Sequence, residues 1–370
     1  MKTARILIIG GGIGGLTSAI ALRARRFEVD VIERDPSWSV YGVGIIQQSN
    51  VVRAMAQLHL LEDYLEAGFG FDHVDIFAPD GRHLASVPSP ALTEGYPANV
   101  GIGRPALHKV LGDRAIDAGA HIRLGVTADR LDDDGTGVSV VFSDGSEGRY
   151  DIAIGADGLY STTRSMIFPE APGPCFTGQS VWRYNFRRPA DLVSLHSYEG
   201  AVGIGLVPLS DAMMYMFVTT AEPGNPRYPH ERLAESMRAK LVGAPPAIAA
   251  YASRITEDDE VVYKPLESLF LDGPWHKGRI GLVGDAVHAS TPHLGQGAGM
   301  AIEDSIVLAE ELAGADTVEA AFERFRARRY ERCKYIVDTS LAMCEAQLRR
   351  ERYDQAAAVR AMFDVVSAPL

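Results

Sequence analysis

Cysteine is scarce in this sequence: three in 370 residues, at Cys175, Cys333 and Cys344. An odd, widely spaced set with no C-x-x-C pair argues against a disulfide framework and against a zinc site. It reads instead as free thiols in a reducing cytoplasm. Long apolar runs are missing too. The N-terminal one, Ile6 to Ile9, is too short for a secretion signal. Nothing later approaches the roughly 18 apolar residues of a spanning helix. A soluble, cytoplasmic chain with no membrane partner is expected. Basic charge is in deficit, since 36 Lys and Arg against 48 Asp and Glu give a net charge of −12. That balance argues against a nucleic-acid partner held by a broad basic surface. An anionic small molecule is still possible, because a few backbone N–H groups can oppose the global field locally.

What is present suits a large folded core. Hydrophobic residues make up 46% and charged residues 23%, and the length is comfortable for two domains. The chain opens as β-α-β, with a strand at Arg5–Ile9, helical spacing over Gly14–Arg26 and a strand at Val29–Glu33. Helices are expected over Asn50–Glu66 and from Arg104-Pro105, where proline suits a first turn. Strands are expected at His121–Gly125, Gly137–Phe142 and Tyr150–Ile154, with Asp144-Gly145 as a hairpin signal. From about Ala171, proline and glycine cluster and strand-like runs follow at Ser180–Phe186, Val202–Val207 and Met213–Thr219. These read as a separate β-layer. Helical segments near Pro229–Leu241 and Pro246–Arg254 lead to a buried-strand pattern at Gly278–Val283, and everything after Glu303 reads as helix. The basic run FERFRARRYERCKY in that helix has acidic companions in Glu319, Glu323 and Glu331, so an ion-paired, solvated face is expected there.

The first motif is GGGIGG. Gly10, Gly12 and Gly15 fit the G-x-G-x-x-G frame, between a strand and a helix, with Ile13 and Gly14 inside the frame. Glu33, with Arg34 after it, ends the second strand eighteen residues beyond Gly15. Glycines there allow a tight turn, a close pyrophosphate and close helix packing, while the acid accepts bonds from a ribose diol. A dinucleotide with a free 2′-hydroxyl is expected, FAD or NAD rather than NADP.

Two later stretches narrow the choice. They are DIAIGADGLYSTTR, from Asp151 to Arg164, and GRIGLVGDAVHASTPHLGQG, from Gly278 to Gly297. With the first loop, and in the same order over nearly the whole chain, they resemble the single-component FAD-dependent aromatic hydroxylases, the para-hydroxybenzoate/salicylate hydroxylase-like monooxygenases. The resemblance implies an α/β fold, a Rossmann-like FAD-binding domain of the glutathione reductase type with an inserted β-sheet substrate domain and C-terminal helices. On that template the FAD domain is discontinuous, about 1–70, 100–170 and 272–370, and the substrate domain is about 71–99 and 171–271.

The resemblance also assigns roles. Asp157, Gly158 and Arg164 match the Asp-Gly motif that serves the flavin and the passing nicotinamide nucleotide, and Asp285 matches the aspartate on FAD hydroxyls. Arg104 stands where the family places an FAD-contacting arginine, and Gly44 lies in the flavin-side loop, here Gly42-Val43-Gly44-Ile45 followed by Ser49-Asn50. Gly295, Gly297 and Ala298 open a helix whose N–H groups would stabilise charge on a reduced flavin ring. Tyr215 and Pro292 match substrate-side and flavin-side positions of the site. Arg183, Tyr184 and His196 in the β-layer are candidates for an anionic group, and Gly203 stands where the urate enzymes carry an anchoring arginine. His288 and His293, five apart with a proline between them, do not suit a metal pair, so no metal is expected.

The implied activity uses NADH or NADPH as a transient co-substrate, tightly bound non-covalent FAD and O₂. It hydroxylates a small phenolic or N-heterocyclic aromatic through a flavin C4a-hydroperoxide, in a monomer or homodimer. Two alternatives stand beside it. One is action on a larger polyketide or antibiotic-type substrate, or polyprenyl reduction, in a pocket containing Met213, Met214, Met216, Gly203 and Gly205. The other is a flavin-binding redox module without turnover.

Overall fold

The β-α-β start forms because its apolar residues are continuous, as they must be in a strand covered on both sides. Ile6, Leu7 and Ile8 are wholly buried in the strand Arg5–Ile9, and the helix Ile13–Ala24 and the strand Glu28–Glu33 follow. The computed structural model describes residues 4–198, 200, 202–351 and 353–370. Residues 1–3, 199, 201 and 352 fall inside the expected units but lie outside the described residues.

A six-stranded sheet carries the N-terminal unit. Its spatial order is His276–Lys277, Ile280–Leu282, Ile152–Gly155, Arg5–Ile9, Glu28–Glu33 and His121–Leu124, parallel except at the short first strand. Helices Ile13–Ala24, Arg104–Asp117 and Gly297–Gly314 pack around it. The hairpin expected at Asp144-Gly145 joins Val138–Phe142 to Glu147–Tyr150, in a small sheet completed by Ala128–Asp133.

The β-layer is a seven-stranded sheet. Its order is Val262–Ser268, Cys175–Arg187, Met213–Ala221, Gly203–Pro208, Leu195–Tyr198, His73–Phe77 and His83–Pro88. One face is sealed by the helices Leu233–Lys240 and Pro246–Ala252, around Trp182, Met214, Met216 and Val218. The other face looks toward the nucleotide side. A third sheet, Gly44–Gln47, Asn99–Gly103 and Gly68–Phe71, joins the two units, and boundaries at 70/71 and 99/100 cut through two of its strands.

Several expectations change. The single helix over Asn50–Glu66 is two, Ser49–Gln57 and Leu61–Ala67, because His59 adopts a left-handed φ of 57° and ends the first. The Gly42–Ile45 segment is not all loop, since a strand begins at Gly44. The basic run lies on the helix Val318–Arg349, yet its partners are not Glu319, Glu323 and Glu331. Arg324 and Arg328 pair with Glu311 and Glu310, while Arg329 is buried against Glu303 and Asp304. Helical periodicity reports neighbours along one helix and cannot show the acids of the preceding helix, Gly297–Gly314, that pack across it.

Candidate active site

Strand order explains why motifs 270 residues apart act together. The first loop, the Asp157-Gly158 turn and the Gly284-Asp285 turn leave the same ends of three neighbouring parallel strands, Arg5–Ile9, Ile152–Gly155 and Ile280–Leu282. In open α/β sheets that edge is where nucleotides bind. Gly10 has φ 114°, and a Cβ there would lie 2.4 Å from the Ala156 carbonyl. A Cβ at Gly15 would lie 1.9 Å from the Gly10 carbonyl. The first loop can therefore close only with glycine at both positions.

Helix starts supply the donors. Gly12 caps the helix Ile13–Ala24 and Gln296 caps Gly297–Gly314, with no side-chain cap bond and no acid in either first turn. Their first N–H groups are free for an anion. Space over Gly12 and Gly158 is open, since an added Cβ would meet nothing within 4 Å. Glu33 is fixed by two N–H donors, Gly11 to Oε2 at 2.8 Å and Asp35 to Oε1 at 2.9 Å, which leaves each oxygen another lone pair. Arg34 is exposed and makes no side-chain bond among the described residues.

The second and third turns are braced against each other. Asp157 accepts from Ser161 Oγ at 2.5 Å and Thr163 N at 2.9 Å, and so fixes the start of the helix Thr162–Ile167. Arg164, buried, donates to the carbonyls of Ala286 at 2.8 Å and Leu159 at 2.9 Å, so its guanidinium is occupied by the fold. Asp285 remains open to the groove, and the protein packed around it raises its pKa.

Behind the third turn lies a fully buried ionic network. Asp304 accepts from Gly284 N at 2.9 Å, His288 Nε2 at 2.6 Å and Arg329 Nε at 2.8 Å. Burial opposes ionisation of Asp304, but His288 and Arg329 hold its carboxyl at about 2. Cys333 completes a cluster of donor atoms with His288 and Asp304, all within 4.8 Å. Arg329 already supplies the positive charge there, which is poor company for a metal ion. His293 stands elsewhere. It bonds Thr291 Oγ1 at 3.0 Å and Gln347 Oε1 at 3.3 Å, and burial lowers its pKa to about 4.

The groove wall runs from Arg104 to the β-layer. Arg104 N bonds Val43 O at 3.0 Å, beside Gly44. A Cβ on Gly44 would sit 2.4 Å from the Tyr215 ring. Tyr215 is 4% exposed; burial raises its pKa, against the pull of Arg183 and Arg104. It is therefore a hydrogen-bond donor near neutral pH, not a base. The guanidinium of Arg104 has no hydrogen-bond or ion-pair partner among the described residues. Burial lowers its pKa, while Tyr215 and Asp285 act the other way. Pro292 is exposed on a short turn, Pro292–Leu294, before Gly295, which has φ 66°. Gly297 and Ala298 follow in the helix start.

Strand alternation sorts the β-layer candidates. Arg183 and Tyr215 share the groove face, whereas Tyr184, Met214 and Met216 belong to the sealed core. His196 stands 3.8 Å from Asp75 and faces Phe77, away from the groove. The methionine-rich pocket considered for a large substrate is therefore not formed, because Met214 and Met216 point to the far side.

The sequence reading missed several groups. Trp38 Nε1 and His108 Nε2 both reach the Gly11 carbonyl, at 2.9 and 3.0 Å. Asn50 and Gln296 exchange amide bonds at 2.9 and 3.0 Å, pinning the Pro292–Gly297 turn to the helix Ser49–Gln57. Asn50 was already in view as part of the Ser49-Asn50 pair that follows the flavin-side loop, but its partner Gln296 lies 246 residues away. Gln47 and Ser290 keep buried polar atoms with no partner. Buried orphans of this kind, the open glycine turns and the two unfilled helix starts fit a long dinucleotide.

Comparison with known proteins agrees. An FAD-binding domain family model matches residues 3–340, and the chain belongs to that family. It is 33% identical over 350 residues to the aurachin C monooxygenase/isomerase of Stigmatella aurantiaca, covering 91% of this chain and 88% of that one. It is 29% identical over 335 residues to the 2-heptyl-3-hydroxy-4(1H)-quinolone synthase of Pseudomonas aeruginosa, covering 90% and 86%. Among solved structures, Klebsiella pneumoniae HpxO complexed with FAD and uric acid superposes with a TM-score of 0.87 at 23% identity, over 99% of this chain and 97% of that one. The protein is an FAD-dependent oxidoreductase of the monooxygenase type.

Proposed function

We propose that this enzyme uses NADH or NADPH and O₂ to hydroxylate a small phenolic or N-heterocyclic aromatic. The observation that carries the reading is the convergence of three nucleotide-type turns on one sheet edge, facing a β-layer that presents Tyr215. The relatives support it by name: one makes a hydroxyquinolone, and another was crystallised with uric acid.

Bound FAD supplies reduction by the nicotinamide donor and activation of O₂. The residues of the chain do the rest. Gly10, Gly12, Ile13, Gly14 and Gly15 cradle the pyrophosphate, Glu33 takes the ribose hydroxyls, and Arg34 flanks them. Asp157 and Gly158, braced by Arg164, and Asp285 with Arg104 line the middle of the groove. N–H groups at Gly297 and Ala298 would stabilise negative charge on the ring by the helix-start field, whereas the Gly295 N–H is spent on the Pro292 carbonyl and Gly295 serves to turn the chain into that helix. Gly44 and Pro292 would flank the ring, and Tyr215 would donate to a substrate oxygen while its bulk keeps water out. Residues 1–70, 100–170 and 272–370 form the FAD-binding unit and 71–99 with 171–271 the substrate unit, joined by the three-stranded sheet. Among the described residues, no helix is long and apolar enough to cross a membrane. Three free thiols suit a reducing cytoplasm.

The test is NADH and NADPH oxidation by the purified protein over a panel of phenols and N-heterocycles, with mass analysis of products. One compound should accelerate oxidation and emerge one oxygen heavier. Oxidation that no compound stimulates, with peroxide the sole product, counts against hydroxylation.

A further inference from the structure

On the groove face of the β-layer, charge is distributed in one sign. Register places Arg183 opposite Phe217 and Val262, Asn185 opposite Tyr215, and Val181 opposite Thr219 and Lys264. Side chains alternate along each strand, so Arg183, Asn185, Tyr215, Phe217 and Lys264 share this face. Over these stretches the face carries two cations and no carboxylate, in a chain whose net charge is −12. Lys264 lies 4.3 Å over the Tyr41 ring, without an ion pair among the described residues.

Arg183 is the group without employment. Its guanidinium has no hydrogen-bond or ion-pair partner among the described residues, and the residue is only partly buried. Enclosure and the like charge of Arg104 bring its pKa down to about 10, with Tyr215 opposing. A partly buried cation set beside a second cation, with no partner in the fold, gains nothing from its own surroundings, and its guanidinium stays accessible to an anion. Beside it, Asn185 donates its amide to the Gly42 carbonyl but leaves a buried Oδ1 with no partner. Arg104 faces Asp285 and the dinucleotide groove, whereas Arg183 is rooted in the β-layer strand itself.

We infer that Arg183, supported by Lys264, selects a substrate that carries a carboxylate. The guanidinium fork matches the two carboxylate oxygens, and Asn185 Oδ1 offers an acceptor to a neighbouring N–H or O–H of the same molecule. This rests on the reading of the groove as a monooxygenase pocket and adds the charge of the substrate to it.

Calorimetric titration of the FAD-loaded protein tests the inference. The probes are 2-aminobenzoate and quinoline-4-carboxylate, each against its carboxamide, with ADP-ribose as a third arm. At least one carboxylate should bind about 10- to 100-fold tighter than its amide, as a charge-assisted paired contact gives. Arg183→Gln should erase that preference while leaving the affinity for the amide and the FAD content intact. Arg183→Lys should keep part of it, and it carries the test if the glutamine variant fails to fold. Lys264→Gln should weaken carboxylate binding about threefold by removing a longer-range charge. Equal binding of acid and amide, binding of neither, or a preference that survives Arg183→Gln would overturn the inference. So would Arg183-dependent binding of ADP-ribose alone, which would assign the guanidinium to the nicotinamide nucleotide. The titration reads affinity and not turnover. Oxygen insertion into neutral compounds without carboxylate preference therefore sinks this inference alone. Carboxylate binding without oxygen insertion sinks the functional reading alone.

Discussion

Two pairs of interior arginines divide this molecule. Arg329 and Arg164 are satisfied within the fold, the first by Glu303 and Asp304 and the second by two carbonyls. Arg104 and Arg183 are only partly buried, have no partner among the described residues, and belong to the groove side. Paired interior charge holds structure, because removing either member strands the other out of water. Unpaired, partly buried charge contributes little to the fold and is available to an anion that arrives from outside. The two classes should respond to mutation in opposite ways.

The largest effect is expected at Arg329. Arg329→Met removes the central cation, leaving Asp304 to His288 and Gly284 N and Glu303 to Arg332 and Asn50, and should lower unfolding free energy by about 3 kcal/mol in a denaturant titration. Next is Gly15→Ala, whose Cβ collides with the Gly10 carbonyl. It should cost about 1–3 kcal/mol and leave protein purified without flavin, read from its visible absorbance. The ionic network also sets an acid limit. Asp304 titrates at about 2 when folded, below its ordinary value near 4. Its contribution is complete above about pH 4 and is lost as pH falls toward about 2, so melting temperature should decline in that window. Arg329→Met should flatten that decline, and an unchanged slope would mean that other carboxylates govern it.

The smallest effect on stability is expected at Tyr215. Its hydroxyl bonds no described residue, so Tyr215→Phe strands nothing and should change stability by no more than about 0.5 kcal/mol. The loss should show in kcat/KM for a hydroxylated substrate, about five- to tenfold, the scale of one hydrogen bond to a reacting molecule. An unchanged kcat/KM would remove Tyr215 from the site.

The same division explains what could be read in advance. The first loop was legible because strand, glycines, helix and Glu33 are contiguous in sequence, and the later turns because they resemble a known family. Period-two alternation separates Tyr215 from Met214 and Met216 within its own strand, but the register with the neighbouring strand is what brings Arg183 onto the same face. Pairings across elements were not legible. Nothing local in FERFRARRYERCKY shows that Arg329 reaches Glu303 and Asp304, and nothing local in DIAIGADGLYSTTR shows that Arg164 is consumed by Ala286. The break at His59 was hidden too, since the residues on both sides keep helical spacing and the left-handed turn carries no glycine. Short joining strands such as Gly44–Gln47 and Gly68–Phe71 owe their form to the partner strand Asn99–Gly103.

The most direct measurement is thermal unfolding of wild type and Arg104→Gln, each with and without added FAD. Ligand binding to the native state raises its stability, and the rise reports affinity. Arg104→Gln should melt with the wild type when flavin is absent and should lose most of the FAD-induced rise, reflecting affinity about 10- to 100-fold weaker. If the variant instead unfolds early without FAD, as Arg329→Met should, or keeps the full rise, then unpaired interior charge is not what holds the cofactor.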